Sequence, residues 1–104
     1  MNSLEVRAGQ AARLWAKGDA AMAAADHAQA YSLYTQAHDL IMDSPRLHLQ
    51  AHRKLGSVTR FHANRWEYYT DVGLVFLAPA GVFHLIALVL RLKAALSPAR
   101  AAAQ

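Results

Sequence analysis

The sequence predicts an all-α fold, a small bundle of four to five helices formed by one domain over residues 1–104. Three observations support this. The chain has only 5 glycines and 3 prolines, alanine and leucine are abundant, and apolar residues recur at steps of three and four. A single domain of this size has a modest core. The absence of cysteine excludes disulfides, thiolate metal sites and cysteine nucleophiles.

The first 43 residues predict a pair of helices folded back on each other. An alanine-rich helix runs from about Leu4 to Ala24, and Asp26 can cap a second helix that continues to about Met42. Small residues at one face of each helix would let the two approach closely. This segment carries a net charge of −2 and the remainder +6, so the two parts of the chain, or two copies of it, can attract each other.

Residues 44–71 predict a long, basic amphipathic helix. Ser44 can serve as N-cap, and Pro45 suits the first helical position because it has no N–H to lose there. Three arginines recur every seven residues and form a basic row on one face: Arg46, Arg53 and Arg60.

Residues 72–96 form an apolar helical segment with a predicted break near Pro79–Gly81. Residues 72–90 contain no formal charge, and Arg91 and Lys93 follow them. This run has the length of a membrane span. It also suits two buried helices of a bundle or a dimer, so both interpretations stay open. The N-terminus lacks the pattern of a secretory signal, which predicts a cytoplasmic protein; the alternative is an inner-membrane protein whose N-terminal part is cytoplasmic.

Residues 25–40, ADHAQAYSLYTQAHDL, resemble the second half of a tetratricopeptide repeat, and the resemblance extends over residues 11–45. Ala25 and Asp26 stand at the usual Gly-Asp turn, while Gly18 matches the small residue where the two helices of the repeat touch. The resemblance implies an antiparallel hairpin that binds another protein. Its predicted groove is lined or supported by Trp15, Tyr31, Tyr34 and Leu40, and framed by Arg46, Arg53 and Arg60.

Residues 37–55 are similar to a bacterial family of short helical proteins, the domain of unknown function 3703 family. The similarity lies in a pattern of alanine, histidine and leucine: Ala37, His38, His48, His52 and Leu55. Members of that family are often encoded near heavy-metal resistance genes, so the resemblance implies a role connected with metals.

The spacing of these three histidines also predicts a metal site, independently of the resemblance. His48 and His52 are four residues apart, about 6 Å along one helix, where two imidazoles can chelate one ion. A tight turn would bring His38 opposite them, and Asp39 or Asp43 would supply a fourth ligand. Such a set suits zinc, nickel or copper. The alternative is structural: His38 would bond a helix-end carbonyl, and the other two would be packing residues.

The favoured interpretation is a non-enzymatic protein–protein interaction module that binds a protein partner or a second copy of itself and needs no cofactor. The carboxylates are scattered and no phosphate-binding loop is present, so catalysis is not expected. Nucleic-acid binding is not expected either, because no recognition helix is evident. Two alternatives remain: a transition-metal-binding protein using the three histidines, and a membrane-anchored accessory subunit held by residues 72–90, which would contact the membrane.

Overall fold

The computed structural model describes residues 3–62 and 65–96, and this part of the chain is an all-α bundle, as predicted. It contains five α-helices and, between the last two, a 3-10 turn over Ala78–Ala80. The helices are α1 Leu4–Ala23, α2 His27–Leu40, α3 Pro45–Thr59, α4 Arg65–Leu77 and α5 Val82–Ala95.

Helices α1 and α2 form the predicted antiparallel hairpin. The Asp26 side chain caps α2 by accepting a hydrogen bond of 3.2 Å from the Gln29 amide. Ala25, just before it, has a φ of 58°, in the left-handed region that glycine adopts more readily than alanine. The resembled family usually has glycine at this position. At the other end of the hairpin, the Arg7 guanidinium donates to the Asp43 carboxylate at 2.7 Å.

The close approach of the two helices depends on Gly18. A Cβ atom at this position would overlap the ring of Tyr34, so only glycine fits. The ring is held in place by its hydroxyl, which donates to Asp19 at 2.5 Å. Burial and this hydrogen bond raise the pKa of Tyr34. The core around them comes entirely from the first three helices and the corner after α2: Ala11, Trp15, Ala30, Tyr34, Ala37, Ile41, Ala51, Leu55 and Val58.

Helix α3 begins as predicted but is shorter than the predicted 44–71. Ser44 caps it, accepting a hydrogen bond from the Leu47 amide at 3.4 Å, and Pro45 is its first residue. It ends at Thr59, and α4 runs back along it. This return stabilises a polar contact that one continuous helix would not allow, because Asp71 of α4 is buried against α3 and finds its hydrogen-bond donors there.

Helices α4 and α5 meet at an angle of 91°, and the chain breaks where Pro79 and Gly81 predicted. Gly81 has a φ of 90°, which a residue with a side chain rarely adopts. Among residues 3–62 and 65–96, no single helix has both the length and the hydropathy of a membrane span; α4 with its turn and α5 reach that threshold only as a bent pair.

Both helices also leave many large side chains in contact with solvent. Phe76 is 82% exposed, whereas Phe83 and Ala87 are buried against the rest of the bundle. We call the exposed set the outer apolar face: Trp66, Tyr69, Val72, Phe76, Leu77, Leu85, Leu88, Val89 and Leu92.

Candidate metal centre

The corner between α2 and α3 brings together the three histidines that the sequence analysis selected. His38 lies in the last turn of α2, and His48 and His52 lie one turn apart on α3. The corner is tight because the Ile41 amide bonds the His38 carbonyl at 3.2 Å and the Ser44 amide bonds the Ile41 carbonyl at 3.1 Å. The hairpin and the Ser-Pro corner therefore position the cluster.

The three imidazoles point the same nitrogen atom at a common centre. The Nε2 atom of His38 lies 2.9 Å from that of His48 and 3.2 Å from that of His52, and the last two are 3.1 Å apart. Zn–N bonds of about 2.0–2.1 Å place two ligand nitrogens roughly 2.9 Å apart at a right angle and roughly 3.3 Å apart at the tetrahedral angle. An ion about 1 Å from the plane of the three nitrogens would lie within bonding distance of all of them.

The outer nitrogens of two of these rings are held by carboxylates. The Nδ1 atom of His52 lies 2.7 Å from Asp71, whose second oxygen accepts a hydrogen bond of 2.9 Å from the Thr59 hydroxyl. The Nδ1 atom of His38 lies 3.0 Å from Asp39. In the neutral form of each ring, the proton lies on Nδ1 because an ionised carboxylate only accepts, and the Nε2 lone pair then faces the centre. This is the outer-shell arrangement typical of histidines that bind metals.

Protons alone cannot satisfy the contacts among the three Nε2 atoms. With neutral rings, only His48 has a proton to place there, and one N–H cannot serve three nitrogen–nitrogen contacts. If that proton is on Nδ1 instead, it is buried and has no partner. Burial, together with the neighbouring histidines, lowers the pKa of His48 to about 4, so this ring stays in the neutral form that binds metals. A bound cation would accept the lone pairs of all three Nε2 atoms and would keep the His48 proton on Nδ1, which has no partner among the described residues.

One side of the cluster is covered and another is open. The ring of Phe83 lies 4.8 Å from that of His48 and 5.7 Å from that of His52, and so shields their side of the site. On another side, His38 and His52 line a cleft of about 360 Å³. The cleft is also lined by polar and apolar residues of α2, α3 and α4: Tyr31, Thr35, Asp39, Leu55, Trp66, Glu67, Thr70 and Asp71.

Neither of the two predicted fourth ligands reaches the centre. Asp39 bonds the outer nitrogen of His38, and Asp43 is occupied by Arg7, which lowers the pKa of this carboxyl group. Within the described residues, the group of potential ligands contains the three histidines and no carboxylate.

Sequence reasoning missed three residues that support the cluster: Thr59, Asp71 and Phe83. Asp71 did give a signal, because it is an acidic residue at the start of an apolar run, and a carboxylate buried there needs a hydrogen-bond donor. The donors that Asp71 finds depend on how α4 folds back along α3. The prediction of one continuous helix over 44–71 did not include that turn.

The structure brings together some of the residues predicted to form a partner-binding groove, because Tyr34 lines a cleft with Arg46 and Arg53. Trp15 is 7% exposed and Tyr34 is 2% exposed, and Lys54 extends over both rings while it pairs with Asp19. These two aromatic residues belong to the core, where they support the hairpin and offer a partner little surface. Tyr31 and Leu40 are half-buried, and the three arginines of the basic row are exposed: Arg46, Arg53 and Arg60. The interaction module stays a prediction.

Comparison with known proteins returned no match to any protein family, curated protein or solved structure. The resemblances to the tetratricopeptide repeat and to the domain of unknown function 3703 family therefore stay predictions. Conclusions about function depend on the geometry of the molecule itself.

Proposed function

We propose that this protein binds one transition-metal ion through His38, His48 and His52. The observation that carries the proposal is the convergence of three Nε2 atoms within 3.2 Å of one another, with two of the rings oriented by carboxylates. A cluster of packing histidines would instead direct its ring nitrogens to separate partners, because lone pairs that face each other in a buried site are unfavourable.

The donor set restricts the ion. Imidazole nitrogen suits zinc, nickel and copper(II), whereas calcium and magnesium prefer oxygen. Zinc with three histidines is a well-established combination, and the carboxylates beside His38 and His52 strengthen these rings as donors. Zinc is therefore the first probe, with nickel and copper(II) as alternatives.

Calorimetric titration of the metal-free protein with zinc tests the proposal. We expect one ion per chain, and we expect His38→Gln to weaken binding by about 100-fold or more, because it removes one of three ligands. His38 is the suitable position because its side chain is 15% exposed, so its replacement disturbs packing least.

The chain offers a matched control in its other histidines. A variant with all three replaced by glutamine, His27, His62 and His84, loses the same residue type but keeps the cluster, and it should bind zinc like the parent. Equal affinity in His38→Gln and the parent, or lost binding in the control, would place the ion elsewhere and refute the proposal.

As a second function, we propose that the outer apolar face rests on an anionic lipid surface. An exposed apolar surface of this kind marks an interaction site. Helices α3 and α5 contain five Lys and Arg residues and no Asp or Glu. The basic row borders the apolar helices. Arg53 and Arg60 line a cleft together with Tyr68 and Val72 of α4. Arg46 lines a second cleft, which includes residues at the break between α4 and α5. Basic and aromatic side chains beside an apolar surface are what an anionic bilayer attracts.

Charge favours a bilayer over a second copy that binds through this face. Two copies arranged with their basic rows opposed would repel each other. A vesicle of phosphatidylcholine with phosphatidylglycerol presents the opposite charge, whereas one of phosphatidylcholine alone does not.

Co-sedimentation with these two kinds of vesicle tests this second function. We expect the protein to pellet with the anionic vesicles only, and we expect Phe76→Ser with Leu92→Ser to reduce the bound fraction by about tenfold, given roughly 25 cal/mol per Å² of apolar area. The matched control is Leu4→Ser with Val6→Ser, exposed apolar residues of α1 outside this face. A stable dimer by ultracentrifugation with no lipid binding would show that a second copy covers the face instead.

A further inference from the structure

The histidine cluster supplies three ligands, and a four-coordinate ion needs one more. The chain has no cysteine, and within the described residues no carboxylate belongs to the cluster. The two nearest carboxylates, Asp39 and Asp71, already bond the outer nitrogens of His38 and His52. The fourth position therefore has no evident ligand from this part of the protein. Three protein ligands with an open position are typical of reactive rather than structural zinc sites.

The cleft between α2, α3 and α4 is the side of the cluster that leaves room for a fourth ligand. Phe83 covers the cluster beside His48 and His52, and His48 is 2% exposed and does not line the cleft. His38 and His52 do line it. A ligand of small size can thus approach from the cleft.

The charge around the cleft indicates which ligand fits. A divalent ion bound by three neutral imidazoles carries a charge of +2, which Asp39 and Asp71 beside the rings offset. Glu67 adds a further carboxylate to the wall of the cleft, where it accepts a hydrogen bond of 2.8 Å from Tyr31. This carboxylate would repel an incoming anion but not a neutral ligand.

We propose that the metal ion of this site keeps one exchangeable position, open to the cleft, that takes water or a neutral nitrogen donor such as imidazole in preference to a small anion. This inference rests on the proposed metal-binding function. Ligand exchange at a metal ion needs a free coordination position. With such a position, the site can pass its ion to an incoming imidazole group or receive an ion from one.

Cobalt(II) is the probe, because its visible absorption bands report coordination number and geometry. The protein loaded with one cobalt ion is titrated with imidazole and, separately, with azide. We expect both to change the spectrum, with imidazole effective at a concentration at least tenfold lower than azide. Desalting after each titration must recover one cobalt per chain, so that the change is exchange at the ion and not its removal.

Glu67→Gln tests the role assigned to the charge. It should strengthen azide binding several-fold and leave imidazole binding unchanged, whereas Glu5→Gln, an exposed carboxylate on α1, should change neither. A cobalt spectrum that responds to neither ligand would mean that the protein fills the fourth position, which overturns this inference and leaves the proposed function standing. Failure to bind cobalt, nickel or zinc would overturn the proposed function itself. Azide binding as tight as imidazole binding would overturn the stated preference.

Discussion

Saturating zinc is expected to raise the midpoint of thermal unfolding by about 15–30 °C. A ligand that binds only the folded state stabilises it by about 4 kcal/mol when its concentration is a thousand times the dissociation constant. In a domain of this size each kcal/mol shifts the midpoint by roughly 4–8 °C. The unfolded chain cannot reproduce the site, because His38 is 14 residues from His52 and only the α2–α3 corner brings them together.

The measurement is a thermal melt followed by circular dichroism, in buffer treated with a chelating resin, with and without added zinc. His38→Gln should melt near the parent's metal-free midpoint in both conditions. His84→Gln, an exposed position on α5, should show the full rise. An equal rise in the His38 variant, or none in the parent, would contradict a zinc site at the cluster.

Asp71→Asn is expected to lower the free energy of unfolding of the metal-free protein by about 2–4 kcal/mol. The carboxylate is buried and accepts hydrogen bonds from both His52 and Thr59, and hydrogen bonds to a charged group contribute roughly 1.5–3 kcal/mol each. An asparagine has the same shape, but its NH₂ group would face one of these two donors. The same change should weaken zinc binding by about 10–100-fold, because the partner that orients His52 is altered.

Urea denaturation and zinc calorimetry on the same samples check both effects of Asp71→Asn. The matched control is Asp39→Asn, since Asp39 also bonds the outer nitrogen of a cluster histidine but has a side chain that is 66% exposed. Solvent-exposed pairs contribute little, so its cost in stability should be below about 1 kcal/mol. Similar losses in the two variants would mean that the buried position of Asp71 is not what makes it important.

The parts of the fold that follow from local chemistry were predictable from the sequence. Gly18 and Tyr34 indicated the close hairpin, and Ser44 with Pro45 indicated the corner, because caps and small residues act through neighbours one or two turns away. The histidine cluster was predictable for the same reason. Its members lie on either side of one short corner, so their meeting needs no knowledge of the rest of the fold.

The parts that depend on distant contacts were not predictable. The periodicity of residues 44–71 continues past Thr59, and nothing local indicates that the chain turns back there to bury Asp71 against α3. In the same way, aromatic spacing placed Trp15 and Tyr34 on a helix face but did not reveal that Lys54 covers them. Asp39 and Asp43 were plausible ligands by position, yet their partners are set by side-chain directions that spacing does not determine.

The last two helices contact the histidine cluster with two of the three side chains that they bury. Three side chains of α4 and α5 are buried: Asp71, Phe83 and Ala87. The first two contact His48 or His52, whereas the core of α1, α2 and α3 is complete without them. Local opening of the C-terminal helices must therefore disturb the cluster, and an ion held there would make such opening rarer. Metal binding at the cluster would therefore set how often α4 and α5 detach from α1, α2 and α3.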